Sequence, residues 1–181
     1  MYSIRKTLPH EVDIVLSLFE EARTIMRADG NLHQWTDGEP RRELVERDIE
    51  LGNSYLMLDA KGTVVATFAF IQGIDPTYIH IYKGEWLDAD APYGVVHRLA
   101  SKAKSRGIAQ ACFDWCFQQV PNLKIDTHRD NHIMQHVLLK AGFQYCGIIY
   151  LLNGDERLAF QLIDRKNVTK KGTLKSVTNP Q

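Results

Sequence analysis

The sequence predicts a mixed α/β fold in which helices flank one central sheet. Two observations support this prediction. Apolar residues recur at helical spacing in some segments of the chain and at strand spacing in others. The 181 residues also fit a single domain, with enough apolar side chains to fill a sizeable core. We therefore expect about four helices against a mixed sheet of about six to seven strands.

The first half of the chain begins with a strand and two helices. Pro9 is suited to the first turn of the first helix, and Gly30 is suited to its end. Gly52 closes the second, shorter helix, and the turn at 59–62 then joins the two strands of a hairpin. The expected elements are a strand at 3–6, helices at 12–26 and 41–51, and strands at 55–58 and 63–71.

The second half contains a long irregular stretch, followed by alternating strands and helices. The stretch covers 75–93, with a short strand expected at 78–82, and loops of this length in a compact domain are often functional. Beyond it we expect strands at 94–100, 124–127, 143–151 and 158–163, and helices at 107–119 and 131–140. The domain thus spans 1–163, and the polar residues 164–181 form a solvated tail.

The composition limits the kinds of partner and compartment. The formal net charge is zero, which argues against nucleic acid as the main partner. Charged residues interrupt the apolar residues near Met1, and no apolar run is long enough to span a bilayer. We therefore expect a cytoplasmic protein that does not bind membranes. The three cysteines cannot pair completely, so reduced thiols are expected. The oligomeric state is a separate question, and a homodimer is left open.

The histidines do not predict a metal site. His128, His132 and His136 follow one another at a spacing that places residues on one helix face. His128, however, should precede the helix, in the turn that Asp130 or Asn131 caps. Only two of the three histidines then share the helix, and we expect no bound metal.

The turn at 104–109 is the most informative segment for function. It joins the apolar run that ends near Ser101 to an amphipathic helix, with Gly107 at the bend. The first N–H groups of a helix have no intrahelical partner, and the helix dipole is positive at that end, so such a turn can bind phosphate groups. Taken alone, the segment is equally consistent with a glycine that only makes the bend.

Two segments together resemble the GNAT family of N-acetyltransferases, the acetyl-CoA-dependent transferases. In that family the glycine turn after the fourth main strand reads Gln or Arg, two residues, Gly, one residue, then Gly or Ala. Here Lys104, Gly107 and Ala109 fill these places. The residues 126–131, a helix and then Gly142-Phe143 resemble the family's fifth strand, fourth helix and the start of its sixth strand. The resemblance implies a sheet that is splayed between strands 4 and 5.

The resemblance covers 2–163 and implies acetyl-CoA as acetyl donor, with coenzyme A as product. Backbone N–H groups of 105–110 should hold the pyrophosphate, and 99–101 should pair with the pantetheine arm as another strand would. Lys104 and Arg106 add positive charge near the phosphates, and Asn131 either faces the pantetheine or only caps its helix. The implied cofactor-binding residues are Leu99, Ala100, Ser101, Lys104, Ser105, Arg106, Gly107, Ile108, Ala109, Gln110 and Asn131.

The leading hypothesis is an N-acetyltransferase that acts on a primary amine of a small metabolite or peptide. The amine must lose a proton before it attacks the thioester carbonyl, and a backbone N–H on the splayed strand can stabilise the resulting oxyanion. His97, on the strand that carries the pantetheine, is the first candidate for the base, and Glu85 in the long loop is the second. The alternatives are that His97 is a strand histidine whose hydrogen bonds are satisfied in the core, and that Glu85 is only a solvated loop residue.

One position departs from the family pattern and supports a different hypothesis. Many members place a tyrosine seven residues after the motif asparagine, where its hydroxyl protonates the leaving thiolate; counted from Asn131, that position is Leu138. Either another group supplies the proton or the thiolate leaves without it, since a thiol with a pKa of about 8.5 is a good leaving group. A non-catalytic acyl-CoA-binding module is the second hypothesis. A phosphate-binding or structural domain that uses Gly107 only for a turn is the third.

The acceptor is expected to enter on the side opposite the cofactor, between the first two helices and the loop before the fourth strand. Trp35 and Trp86 are the candidate acceptor-binding residues, since an aromatic face binds a cationic amine through cation–π contact. The same residues could instead anchor an exposed loop to the core. Acidic residues near them would add ion pairs, and the candidates are Asp37, Glu39, Glu85, Asp88 and Asp90.

Overall fold

Among the residues that the structure describes, seven strands and four helices follow one another nearly at the predicted boundaries. A computed structural model of the chain describes residues 2–36, 38–103 and 105–164. The strands are β1 Ser3–Lys6, β2 Ser54–Leu58, β3 Val64–Gln72, β4 Gly94–Ser101, β5 Asn122–Thr127, β6 Gln144–Tyr150 and β7 Glu156–Ile163. The helices are α1 Val12–Ala28, α2 Arg42–Glu50, α3 Ile108–Gln119 and α4 His132–Lys140. Short 3₁₀ turns lie at Pro9–Glu11 and Pro76–Tyr78.

All seven strands belong to one mixed sheet, which confirms the predicted fold class. Their order is β1-β2-β3-β4-β5-β7-β6. The pair β4 and β5 is parallel, whereas the other neighbouring strands are antiparallel. A parallel pair needs a crossover connection, and α3 provides it between β4 and β5.

Side chains of the sheet alternate between cores on its two faces. Tyr55 and Met57 of β2 pack into the core that α3 and α4 cover. Leu56, between them, packs into the core of α1 and α2. On that second face a further cluster, around Tyr78 and Trp86, packs the 75–93 stretch against the β4, β6 and β7 strands. The 75–93 stretch therefore lies on the same face as α1 and α2.

The prediction of a short strand at 78–82 was wrong. The segment begins as the 3₁₀ turn Pro76–Tyr78, in which the Asp75 carboxylate accepts a 3.0 Å hydrogen bond from the N–H of Thr77. Proline fixes the backbone φ angle and has no N–H to give to a strand ladder, so a capped turn is favoured here. Only Tyr82 bridges to the sheet, through Ile148.

The sheet opens between β4 and β5, as the resemblance implies. The two strands pair only at Gly94 with Leu123 and at Val95 with Lys124. Beyond these residues β4 continues to pair with β3, and β5 with β7. A gap thus forms between the carboxyl ends of β4 and β5, where each strand leaves backbone groups without a strand partner.

A β-bulge in β4 changes which residues face each side. Thr67 and Ala69 of β3 pair with Ala100 and His97, so β4 carries one extra residue between its partners. Arg98 lies in this bulge with a φ of 55°, in the left-handed region that non-glycine residues rarely adopt. As a result His97 and Arg98, although adjacent, both reach residues on the face of α1 and α2.

Several sequence predictions concern residues outside the described ranges. These are Lys104 in the glycine turn, Asp37 near the predicted acceptor mouth, and the tail beyond Asp164. Among the residues described, no helix combines the length and the apolar character needed to cross a membrane.

Candidate active site

The candidate site is the gap between β4 and β5, together with the segments that border it on the two faces of the sheet. The turn after β4 and the start of α3 border it on one face. The 75–93 stretch and the α1–α2 connection border it on the other.

The start of α3 presents backbone N–H groups to open space. Gly107 has a φ of 70° and stands immediately before the helix. A Cβ built on it would meet no atom within 4 Å, so the outer side of the bend is unobstructed. The first helical hydrogen bond runs from Ala111 to Gly107, which leaves the N–H groups of 108–110 without a partner inside the helix. These groups and the helix dipole suit a phosphate.

Contacts from two distant segments hold this turn in shape. The Tyr2 hydroxyl donates to the carbonyl of Arg106 at 2.7 Å. The Glu21 carboxylate of α1 accepts from the N–H of Ala103 at 2.8 Å. Within the turn, Ser105 donates its N–H to the carbonyl of Lys102 at 3.0 Å, so this N–H, one of those predicted to bind pyrophosphate, already has a partner.

The end of β4 presents an open edge to the gap. Lys102 donates its N–H to Val65 on β3 at 2.9 Å, and successive N–H groups of a strand point to opposite sides. The N–H of Ser101 therefore points toward the gap, where an extended ligand can pair with it. Leu99 is half-buried against the core of α3, and Ala100 is buried against α1 and α2.

Asn131 caps α4 and is also tied to the α1–α2 connection. Its side-chain oxygen accepts from the N–H of Met134 at 3.0 Å, so it, and not Asp130, is the N-cap. Its amide nitrogen donates to Gln34 Oε1 at 2.9 Å. The same Gln34 oxygen accepts from Asn31 at 2.9 Å. Asn31 is buried, and its own side-chain oxygen has no partner among the described residues.

His97 forms a buried pair with an aspartate that the sequence did not suggest. His97 Nε2 lies 2.9 Å from Asp75 Oδ2, and both side chains are largely buried. Burial alone would raise the pKa of Asp75, but the hydrogen bonds from His97 and Thr77 and the charge of His97 outweigh it and hold that pKa at about 2. An ionised carboxylate can only accept, so Nε2 carries the hydrogen; whenever the ring is neutral, Nδ1 carries the lone pair.

A second polar pair faces His97 across the gap. Tyr78 is fully buried, and its ring lies edge-on to the His97 ring with centroids 5.7 Å apart. Its hydroxyl donates to Asp126 of β5, two residues beyond the last paired residue of that strand. Burial, reinforced by the charge and the hydrogen bond of Asp126, raises the pKa of Tyr78 well above its usual value. Arg157 lies 3.8 Å from Asp126.

The other predicted site residues lie at varying depths. Glu85 is exposed on the long loop. Trp86 is buried, stacks on Tyr78 and donates its indole N–H to the carbonyl of that residue at 3.1 Å. Trp35 is half-buried and contacts the Phe19 ring edge-on at 5.2 Å. Both tryptophans thus anchor their loops to the core, which is the alternative that the sequence left open.

From the sequence, no site role was assigned to Asp75, Tyr78, Asp126 or Gln34. Asp126 had a signal, because it is the first residue of the family motif at 126–131. Leu138, where a tyrosine was sought, is fully buried in the core of α3 and α4. Across the described ranges no three histidine, cysteine or acidic side chains cluster as metal ligands.

Solved structures of acetyltransferases match this fold over most of the chain. A GNAT-family acetyltransferase from Streptococcus agalactiae is 35% identical, with a TM-score of 0.80 over 90% of this chain and 95% of that one. A GNAT-family acetyltransferase from Listeria monocytogenes is 17% identical and shares the fold, with a TM-score of 0.65 over 88% of this chain and 93% of that one. One from Bacillus cereus is 16% identical and also shares it, with a TM-score of 0.56 over 91% of this chain and 99% of that one. No protein-family model and no curated protein matches the sequence.

Proposed function

The chain belongs to the GNAT family of acetyltransferases, and we propose that it transfers the acetyl group of acetyl-CoA to a primary amine of a small metabolite or peptide. One observation carries the proposal. The gap between β4 and β5 has a glycine turn that suits phosphate on one face of the sheet and a buried histidine–aspartate pair on the other. A thioester held along the gap would therefore meet an amine from the opposite face.

The residues of the turn fit coenzyme A. The N–H groups of 108–110, which have no partner within α3, suit the pyrophosphate, and the open bend at Gly107 leaves room for it. Arg106 and Lys104 add positive charge near the phosphates. The N–H of Ser101 and its neighbours on the open edge of β4 suit the amides of pantetheine, which need partners once they are buried.

His97 is the proposed general base. Asp75 holds the ring by Nε2, and Nδ1 has no hydrogen bond within the described part of the chain, so its lone pair is available to the ammonium of the acceptor. Acetyl-CoA supplies an activated carbonyl, and a backbone N–H of the β4 bulge is the proposed donor to the oxygen on which negative charge develops. Glu85 is exposed and remains the second candidate for the base.

Gly107→Glu tests the cofactor site. A bulky negative side chain at the bend should repel the pyrophosphate, so acetyl-CoA at a hundredfold excess over its wild-type Kd should no longer give the stabilisation of about 2.7 kcal/mol expected for the wild type. Gly62→Glu is the matched control, because Gly62 also has a positive φ, 80°, and open space beyond it. Differential scanning fluorimetry measures both.

Thiol release and the thermal shift together separate the proposed enzyme from the alternatives. Release of free thiol from acetyl-CoA with an amine panel supports the transferase. Tight acetyl-CoA binding without turnover of any amine would instead indicate a non-catalytic acyl-CoA-binding module, for which the replacement of the family tyrosine by Leu138 is the reason to test. No thermal shift with acetyl-CoA would contradict both.

A further inference from the structure

Next to the gap, the α1–α2 connection meets the start of α4 in a cluster of polar side chains that the proposed chemistry does not use. We call it the amide–imidazole cluster; its members are Gln34, Asn131, His33 and His128. Gln34 and Asn131 are joined by a hydrogen bond of 2.9 Å, and the rings of His33 and His128 have centroids 6.2 Å apart. The cluster therefore connects two segments that border the acceptor side.

The carboxamide of Gln34 is fixed in one orientation. Its oxygen accepts from the side-chain amides of both Asn31 and Asn131, each at 2.9 Å. With both lone pairs of the oxygen engaged, the amide nitrogen of Gln34 must point the other way. That nitrogen donates to no group in the described part of the chain, so it offers N–H donors to a ligand.

His128 offers a second donor. Its Nδ1 accepts from the backbone N–H of Asp130 at 3.1 Å, so in the neutral ring Nε2 carries the hydrogen. Burial and the positive charge of Arg157 lower the pKa of His128, with Asp130 opposing them, which favours the neutral ring. Nε2 makes no hydrogen bond to any residue that the structure describes.

The strand register gives a minimum separation between His97 and His128. Val95 of β4 pairs with Lys124 of β5. Extending this register places His97 level with Asp126, and His128 follows Asp126 by two residues. This is about 7 Å along the strands and at least about 4.8 Å across them. Two hydrogen bonds of about 3 Å each fill most of that span. This minimum span is compatible with an acceptor whose amine and carboxylate are separated by only a few atoms.

We propose that the amide–imidazole cluster binds the carboxylate of the acceptor, which is then an α-amino acid or a similarly short amino acid. The inference rests on the proposed function, since it names the acceptor of that reaction. Gln34 and His128 supply uncharged donors, which suit a singly charged carboxylate. At the other end of the site, the ionised Asp75 suits the ammonium.

Three pairs of acceptors test the inference, each an amino acid and the amine of the same side chain without the carboxylate. They are L-leucine and 3-methylbutylamine, L-methionine and 3-(methylthio)propylamine, and L-phenylalanine and 2-phenylethylamine. Thiol release from acetyl-CoA gives kcat/KM, expressed per concentration of unprotonated amine. We expect at least a tenfold preference for the amino acid in at least one pair.

Gln34→Glu is the decisive variant. The new carboxylate keeps an oxygen that accepts from Asn31 and Asn131, but it replaces the free N–H donors by a second negative oxygen. The ratio of kcat/KM between amino acid and amine should fall at least tenfold. Gln118→Glu, the same change at an exposed position of α3, should leave that ratio as it is in the wild type.

The outcomes separate this inference from the proposed function. If the amines react as well as the amino acids, or if Gln34→Glu leaves the ratio unchanged, carboxylate binding by the cluster is refuted while the transferase stands. If none of the six acceptors releases thiol although acetyl-CoA binds, the inference fails, and a wider amine panel then decides the proposed function.

Discussion

The two faces of the gap between β4 and β5 are built from different kinds of group. On the face of α3, the proposed cofactor site consists of backbone N–H groups around Gly107. On the other face, the proposed acceptor site consists of side chains, chiefly His97, Asp75 and Tyr78, which come from separate segments. A backbone site depends on local conformation, whereas a side-chain site depends on tertiary packing. Substitutions on the two faces should therefore alter different properties, donor affinity on one and the rate of transfer on the other.

The largest expected effect follows from replacing His97. His97→Asn removes the lone pair at Nδ1 that we assign to proton removal, and general bases contribute roughly 10²- to 10⁴-fold. We expect kcat to fall about 10²- to 10³-fold, while the thermal shift with acetyl-CoA stays as large as in the wild type. Thiol release under saturating acetyl-CoA and fluorimetry measure the two properties.

Two further variants decide what the loss in His97→Asn means. Asp75→Asn should also lower kcat, though less, because an amide no longer fixes which ring nitrogen of His97 carries the hydrogen. His136→Asn, an exposed histidine of α4, serves as the control and should retain full activity. A kcat for His97→Asn within threefold of the wild type would exclude His97 as the base and turn attention to Glu85.

The second effect concerns β4, the strand that both faces share. Arg98 makes a buried ion pair with Asp48 of α2 from its bulged, left-handed position. Arg98→Met would leave the Asp48 carboxylate buried without its cation, which typically costs about 3–5 kcal/mol. We expect a clear loss in the free energy of unfolding by urea denaturation. The double variant with Asp48→Leu should recover most of it, because neither charge is then buried alone.

Arg42 provides the matched control for this pair. It makes an ion pair with Asp13 on the exposed surfaces of α2 and α1. Exposed pairs contribute little, so Arg42→Met should leave the urea midpoint where it is. If Arg98→Met is no less stable than Arg42→Met, the ion pair does not hold the bulge.

The same comparison explains how much could be predicted from the sequence. The strands of the sheet, the helices and the turn at Gly107 follow from local periodicity and glycine placement, and the bounds of the strands and helices lie within two residues of the predicted ones. The family motif at that turn also describes backbone conformation, which is local. Asn131 was recognised for the same reason, since capping involves residues three positions apart.

The acceptor side could not be predicted in the same way, because its contacts join residues far apart in the chain. Asp75 meets His97 only because the 3₁₀ turn at Pro76–Tyr78 replaces the expected strand. The β4 bulge then places His97 and Arg98 on one face, against the alternation that a regular strand would impose. Gln34 joins the site only through the contact of the α1–α2 connection with the cap of α4. None of these contacts leaves a periodic pattern in the sequence.

The smallest expected effect concerns Lys124, whose burial on the acceptor side should lower the stability of the fold. Lys124 of β5 is buried, and its ammonium lies 4.1 Å from the ring centroid of Trp86 and 3.9 Å from that of Tyr93, beneath the 75–93 stretch. Burial lowers the pKa of Lys124 from its usual 10.5 to about 8, with Cys146 and Asp88 opposing it. Burial of the ammonium therefore outweighs the opposing effects of Cys146 and Asp88 on this pKa.

The sign of the pH dependence follows from where the proton is held. Between about pH 8 and pH 10.5 the unfolded chain holds this proton and the folded chain does not, so the contribution of Lys124 to stability rises with pH. The loss of folding stability caused by burying the Lys124 ammonium is fully present below pH 8. Lys124→Met should accordingly be more stable than the wild type at pH 7, by on the order of 1 kcal/mol, and the gain should shrink by pH 10. Urea denaturation at both pH values measures it, with the exposed Lys61→Met as control. If Lys124→Met instead loses stability equally at both pH values, the aromatic contacts of Lys124 stabilise the acceptor side.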